Sequence, residues 1–151
     1  MAESITRALA DAAKLENGST LGSVLTVSSA GTGPWHEGEP MDSRTAAALI
    51  RAGYEPHAHI AHQFSSATLT HYGLIVALDR RHLQTLRSLG ADAHRLYLLR
   101  AFDPVSGAAA DVPDPYYGDA ATFDACVDMI AAACKGLVNE LIALWDTELG
   151  L

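Results

Sequence analysis

Three features of this chain have the residue types and spacing of reactive groups. His57, His59 and His62 stand as H-x-H-x-x-H, and imidazoles near neutral pH act as metal ligands, proton carriers or hydrogen-bond hubs. In an extended segment His57 and His59 share a face while His62 does not. No cysteine or carboxylate completes a tetrahedral set with them, so neither a metal nor a cofactor is expected. The stretch from Asp103 to Gly118 is rich in Asp, Pro and Gly and ends near the pair Tyr116–Tyr117. A loop that long usually carries function. Cys126 and Cys134 lie eight positions apart in an apolar helical stretch. At 1.5 Å per residue they sit about 12 Å apart along the axis, too far for a disulfide, and both are expected to pack.

The elements that must hold these groups follow from pattern. Ile5, Ala8, Leu9 and Ala12 form the i, i+3, i+4, i+7 stripe of an amphipathic helix over Met1–Leu15. That helix lacks the Ser, Thr, Asp or Asn that ordinarily caps an N-terminus. Glu16-Asn17-Gly18 is a turn, and Ser23–Ser28 reads as a strand. Ala30–Pro40 is a loop, and Asp42 caps a helix over Ser43–Ala52 that Gly53 stops. Gly73–Leu78 is a short continuous apolar run, as in a parallel strand buried on both faces. Asp79 opens a helix through Leu89 that ends at Gly90, and Leu96–Leu99 is a further strand. A final helix spans about Ala120 to Trp145. Alternating strands and helices imply an α/β fold, a small parallel sheet flanked by helices, in one domain covering residues 1–151. Three strands are fewer than the usual four to six.

Composition narrows the function. The 151 residues carry 10 basic and 18 acidic side chains, a formal charge of −8, which argues against a nucleic-acid partner. The chain contains no apolar run of the ~18–20 residues that a membrane span needs. Two cysteines are too few for a disulfide scaffold. A cytoplasmic protein with no membrane partner is expected.

Several segments together resemble the low-molecular-weight protein tyrosine phosphatase family. They are S-A-G-T-G-P-W-H at Ser29–His36, G-E-P-M-D at Gly38–Asp42, A-L-D-R at Ala77–Arg80, F-D-P at Phe102–Pro104 and V-P-D-P-Y-Y-G at Val112–Gly118. Their order and spacing match over Met1–Leu144. The resemblance implies a hydrolase of phosphotyrosine or small aryl phosphates that works through a cysteinyl-phosphate. It assigns Asp114 as general acid, and Trp35, Tyr116 and Tyr117 as aromatic substrate contacts. It also places His59 in a hydrogen-bond network with Ser29 that braces the phosphate loop, and matches Asp79 to an acid near the active-site end of its strand. Asp79 as a plain helix cap is an equal and compatible reading. Asp103 and Asp111 are expected to shape the loop.

The family's phosphate loop, C-x-G-N-x-C-R-S-P-M-A-E, is represented here only by Met1-Ala2-Glu3. No C-x-x-x-x-x-R occurs elsewhere: Ala132 and Glu140 stand six residues after Cys126 and Cys134. Three readings follow. Either the chain starts at an internal Met of a longer enzyme, or it is a non-catalytic relative that binds or regulates, or it uses its aromatic slot for another activity. On each, the 151 residues as written are expected to lack phosphatase activity. The family's first strand would lie between Val24–Ser28 and Leu74–Leu78. Without it, the chain is expected to close the gap, to self-associate through unpaired strand edges, or to fold only in part. The strands near Leu74–Leu78 and Leu96–Leu99 should survive best.

Overall fold

The computed structural model describes residues 1–107 and 110–149. Helix α1 spans Ala2–Ala12, and Met1 before it offers no side-chain cap. Helix α2, Ser43–Arg51, is capped by Asp42, which accepts from the Arg44 N–H. Gly53 after it adopts φ +85°, the left-handed geometry glycine tolerates best. Strand β1 is Ile75–Ala77, α3 is Arg80–Ser88, and β2 is Leu96–Leu98. Helix α4 runs from Ala120 to Leu144 and continues as a wider turn to Leu149.

The strands β1 and β2 pair in parallel, Ile75 opposite Leu96 and Ala77 opposite Leu98. This confirms a small parallel sheet flanked by helices. The expected burial of β1 on both faces is only partial. Ala77 is buried, whereas Ile75 and Val76 are half-buried.

Ser23–Ser28 is not a strand. Leu21–Ser23 forms a 3₁₀ turn and the following residues are irregular. The physical reason is pairing: an extended segment becomes a strand only when a neighbouring edge takes its N–H and C=O groups, and β1's one ladder partner among the described residues is β2. The segment is held instead by side chains, with Arg7 Nη2 donating to the Val27 carbonyl at 2.7 Å.

The main core lies between α1, α2, α4 and the 3₁₀ turn Leu99–Phe102. Ile5, Leu49, Leu99, Val127 and Ile130 are all at most 2% exposed. In α4 the buried positions Phe123, Val127, Ile130, Cys134, Leu137 and Val138 recur at helical spacing. Gly136 permits a close approach: a Cβ there would overlap the backbone carbonyl oxygen of Phe102. A smaller cluster of Ala77, Leu86, Leu96 and Leu98 fixes α3 on the sheet. The loop Asp103–Gly118 contains no helix or strand among its described residues, and Ala108 and Ala109 within it lie outside them.

Candidate active site

The first turn of α1 carries a buried carboxylate. Glu3, Ser4, Ile5 and Thr6 are all buried, so this turn is covered on every side. Glu3 is 8% exposed, although it and Ile5, two residues apart, point to different faces of the helix. Arg7, one turn later, holds its Oε1 through Nε at 3.0 Å. Ser29 Oγ donates to Oε2 at 2.6 Å. The two histidines of one extended face close on the same group. His57 Nε2 lies 2.9 Å from Oε1, and His59 Nδ1 lies 3.6 Å from Oε2. Ser29 and His59 therefore meet through Glu3, with the carboxylate as the hub. Burial opposes the charge on Glu3. The hydrogen bond from Ser29, the field of His57 and the Arg7 guanidinium outweigh it, and its pKa falls below the usual value. For His59, burial lowers the pKa, and its neighbours His57, the α-ammonium and His62 add to this against the pull of Glu3.

This carboxylate corrects the sequence reading of H-x-H-x-x-H. The acid missing beside the histidines in sequence arrives from α1, and Glu3, His57 and His59 place their donor atoms within 4.8 Å of one another. His62 is not part of the group.

The loop Asp103–Gly118 is fastened to the sheet end. The Val112 N–H donates to the Leu78 carbonyl at 2.8 Å, and Arg80 grips Asp111 with a closest ion-pair distance of 3.1 Å. Asp103, buried, accepts from the Val105 N–H, so Asp103 and Asp111 do shape the loop. Asp114 Oδ1 accepts from the Tyr116 N–H at 3.0 Å, a turn in which Asx side chains substitute for backbone. Among the described residues its Oδ2 makes no hydrogen bond. Arg44 donates to the Tyr116 carbonyl at 2.8 Å and lies 5.0 Å from the centre of its ring.

Of the residues predicted for the site, Ser29, His59 and Tyr116 line one cavity of about 360 Å³, together with Glu3, His36 and His57. Asp114, Trp35, Tyr117 and Asp79 are not on its wall. Trp35 is 79% exposed and its ring covers Gly33, where a Cβ would collide with it. His36 is the aromatic neighbour of Tyr116, at 6.3 Å between centroids. Tyr117 is 97% exposed and meets Tyr116 edge-on at 5.0 Å. Asp79 caps α3 by accepting from the His82 N–H at 2.7 Å. Both cysteines are buried and burial raises their pKa. A raised pKa disfavours the thiolate form that acts as a nucleophile.

Against known proteins, the pattern of the low molecular weight phosphotyrosine protein phosphatases matches residues 1–144. The chain belongs to that family. It is 44% identical over 142 residues to a low molecular weight protein-tyrosine-phosphatase of Streptomyces coelicolor, covering 91% of this chain and 82% of the relative. With protein-tyrosine phosphatase A of Mycobacterium tuberculosis the identity is 48% over 127 residues, 82% and 77% of the two chains. Among solved structures, Bacillus subtilis YfkJ superposes with a TM-score of 0.78 at 30% identity, covering 93% of this chain and 84% of that one. A protein tyrosine phosphatase of Entamoeba histolytica reaches 0.81 at 24% identity, covering 93% and 86%. Among the described residues no helix is long and apolar enough to cross a membrane.

The residues that sequence reasoning missed are Glu3, His36, His57 as a site member, and Arg44. Arg44 carried a local signal, standing two residues from the cap Asp42. Glu3 stood in the family's loop motif as Met1-Ala2-Glu3, but nothing there tied it to His57, 54 positions away (57 − 3 = 54).

Proposed function

We propose that this site serves the hydrolysis of phosphotyrosine or a small aryl phosphate, with Asp114 as the acid that protonates the leaving phenolic oxygen. Tyr116, Tyr117 and Trp35 are the aromatic contacts of the substrate ring, which favours flat apolar faces. Ser29 and His59, joined through Glu3, and Asp79 support the site. The observation that carries this reading is the Asp114 turn. Among the described residues the Tyr116 N–H holds Asp114 Oδ1 and leaves Oδ2 without a hydrogen bond, and Tyr116 lies on the wall of the cavity that also carries Ser29 and His59. The family membership and identities of 44–48% supply the chemistry that such an arrangement fits.

The reaction needs a thiolate to attack phosphorus while Asp114 gives its proton to the departing phenolate. The Asp114 carboxylate then takes a proton from water as that water attacks the cysteinyl-phosphate, releasing phosphate and the thiolate. The 151 residues contain no cysteine with an Arg six positions later. Alone they are therefore proposed to be inactive.

The test uses p-nitrophenyl phosphate at about pH 5–7 with two polypeptides, the 151-residue chain and a form extended upstream by the family's strand and C-x-G-N-x-C-R-S-P loop. The first should show no turnover. In the second, Asp114→Asn should lower kcat by roughly 10²–10⁴-fold, and less for better leaving groups. Turnover by the 151-residue chain that vanishes in Asp114→Asn would overturn the inactivity. Equal losses for all leaving groups would overturn the acid role.

A further inference from the structure

We propose that Glu3, His57 and His59 form a divalent-cation site of the two-histidine, one-carboxylate kind, with Zn²⁺ as the ion it suits best. Among the described residues they are the one group of three ligating side chains whose donor atoms all lie within 4.8 Å of one another. Zn²⁺ binds His nitrogen and carboxylate oxygen at about 2.0–2.2 Å, so tetrahedral donors sit about 3.3–3.5 Å apart. The observed contacts, His57 Nε2 to Glu3 Oε1 at 2.9 Å and His59 Nδ1 to Glu3 Oε2 at 3.6 Å, lie on either side of that separation, one on each carboxylate oxygen.

His57 supplies the second, independent sign. Its Nε2 is buried and, among the described residues, forms no hydrogen bond, although the Glu3 carboxylate is 2.9 Å away. The contact is not directed along the ring nitrogen's axis, so this atom is brought to the carboxylate without being satisfied by it. An unpaired buried polar atom is costly, and an ion between the two groups removes the cost. The other ring nitrogen, Nδ1, lies 2.7 Å from Ser4 Oγ. When Nδ1–H donates to that hydroxyl, Nε2 presents its lone pair to the ion, which is how outer partners commonly orient a ligating imidazole. Ser29 gives the carboxylate the same kind of support at 2.6 Å.

Charge and space set the character of the site. Arg7 pairs with Glu3 at 2.8 Å, and its positive charge opposes a cation. Arg7 Nη2 also reaches the Val27 carbonyl, so the side chain keeps an anchor if the carboxylate turns toward the ion. The three ligands lie on the wall of the cavity shared with Ser29, His36 and Tyr116. The fourth position thus opens onto room for water or an oxyanion, the arrangement of a zinc site that exchanges its last ligand. By joining α1 to the irregular segment around His57 and His59, the ion would also cross-link two parts of the chain far apart in sequence.

The site is tested without turnover, so its outcome is separate from that of the phosphatase reading. The full chain, freed of any affinity tag and of metal, is titrated with Zn²⁺ by calorimetry and with Co²⁺ by visible absorption. One ion per chain, and the d–d bands of four-coordinate Co²⁺, are expected. His57→Gln and His59→Gln should each weaken Zn²⁺ binding by more than about 10-fold, the least that loss of even an outer partner costs. His94→Gln, outside the cluster, should leave it unchanged. Far-UV circular dichroism of each variant confirms its helices. Should a variant fail to fold, Glu3→Gln provides the same loss from the other side of the site. No binding by the wild type, or binding that survives His57→Gln and His59→Gln together, overturns the proposal.

Discussion

Helix α4 and the segment from Tyr54 to Gly73 treat their side chains in opposite ways. Along the middle of α4 the large apolar residues are turned inward, with Val127 and Cys134 wholly buried and Ile130 2% exposed. In the segment no residue is fully buried, and Ile60 is 62% exposed. Its backbone is fastened by single bridges, Gly31 to Gln63 and Pro40 to Ile60, where a sheet would supply a ladder. Yet His57 and His59 belong to this segment, and α4 contributes no group to the cavity wall. Stability and chemistry are therefore separated in this chain. The long helix holds the fold, and the reactive groups other than Glu3 on α1 sit on backbone with little packing of its own, the kind that opens first in local unfolding.

The largest test of that separation is one substitution made on both sides. Ile130→Ala should cost about 2–5 kcal/mol, because a cavity opens in a core that relaxes only in part. Ile60→Ala, the same change at an exposed site, should stay within about 0.5 kcal/mol. Urea unfolding followed by circular dichroism measures both. Similar losses at the two positions would show that the loop side is packed after all, and the comparison would fail.

A smaller effect is expected where α4 meets the Leu99–Phe102 turn. Alanine is favoured over glycine inside a helix by about 1 kcal/mol, so Gly136→Ala on an open face would stabilise. Here the added methyl would meet the Phe102 carbonyl oxygen, which is backbone and cannot swing aside. We expect a net loss of about 1–3 kcal/mol, as for other overpacked positions. A gain in stability would mean that the turn is loosely docked on α4.

What could be read in the sequence follows the same division. The α4 stripe, the Asp42 and Asp79 caps, the glycine stops at Gly53 and Gly90 and the apolar runs of the two strands are patterns of residues close in sequence, and each appears within a few positions of its expected bounds. The strand expected at Ser23–Ser28 failed because a strand depends on an edge elsewhere, which no local pattern reveals. At the site, Tyr116 and the Asp114 turn were legible from one motif. Glu3 was not, because a helix turn covered on every side leaves no apolar stripe to mark it, and apart from Arg7 its partners Ser29, His57 and His59 come from 26 to 56 positions away (29 − 3 = 26 and 59 − 3 = 56). Trp35 was legible as an aromatic but not in its direction, which the Gly33 backbone beneath its ring decides.

The smallest effect lies at the join between the two regions. Asp42 caps α2 and pairs with Arg44 at 2.7 Å, and Arg44 in turn holds the Tyr116 carbonyl. Arg44's hydrogen bonds, against a modest opposing effect of burial, bring the Asp42 carboxyl down to about 2. A carboxyl depressed below its unfolded value of about 3.9 adds stability that is fully present above that value and disappears as pH falls from about 4 through 2. The full shift would correspond to about 2.6 kcal/mol, but the pair is largely in solvent, and screening leaves roughly 0.5–1 kcal/mol. Asn caps a helix about as well as Asp, so Asp42→Asn removes the charge and keeps the cap. The wild type should therefore exceed Asp42→Asn by roughly 0.5–1 kcal/mol at pH 6 and converge with it near pH 2. Taking the difference between the two proteins cancels the other carboxylates that titrate over the same range. A difference that stays constant from pH 6 to 2 would show that the Asp42–Arg44 pair adds nothing beyond the cap, and that the Tyr116 loop is held by Arg44's bond to its carbonyl alone.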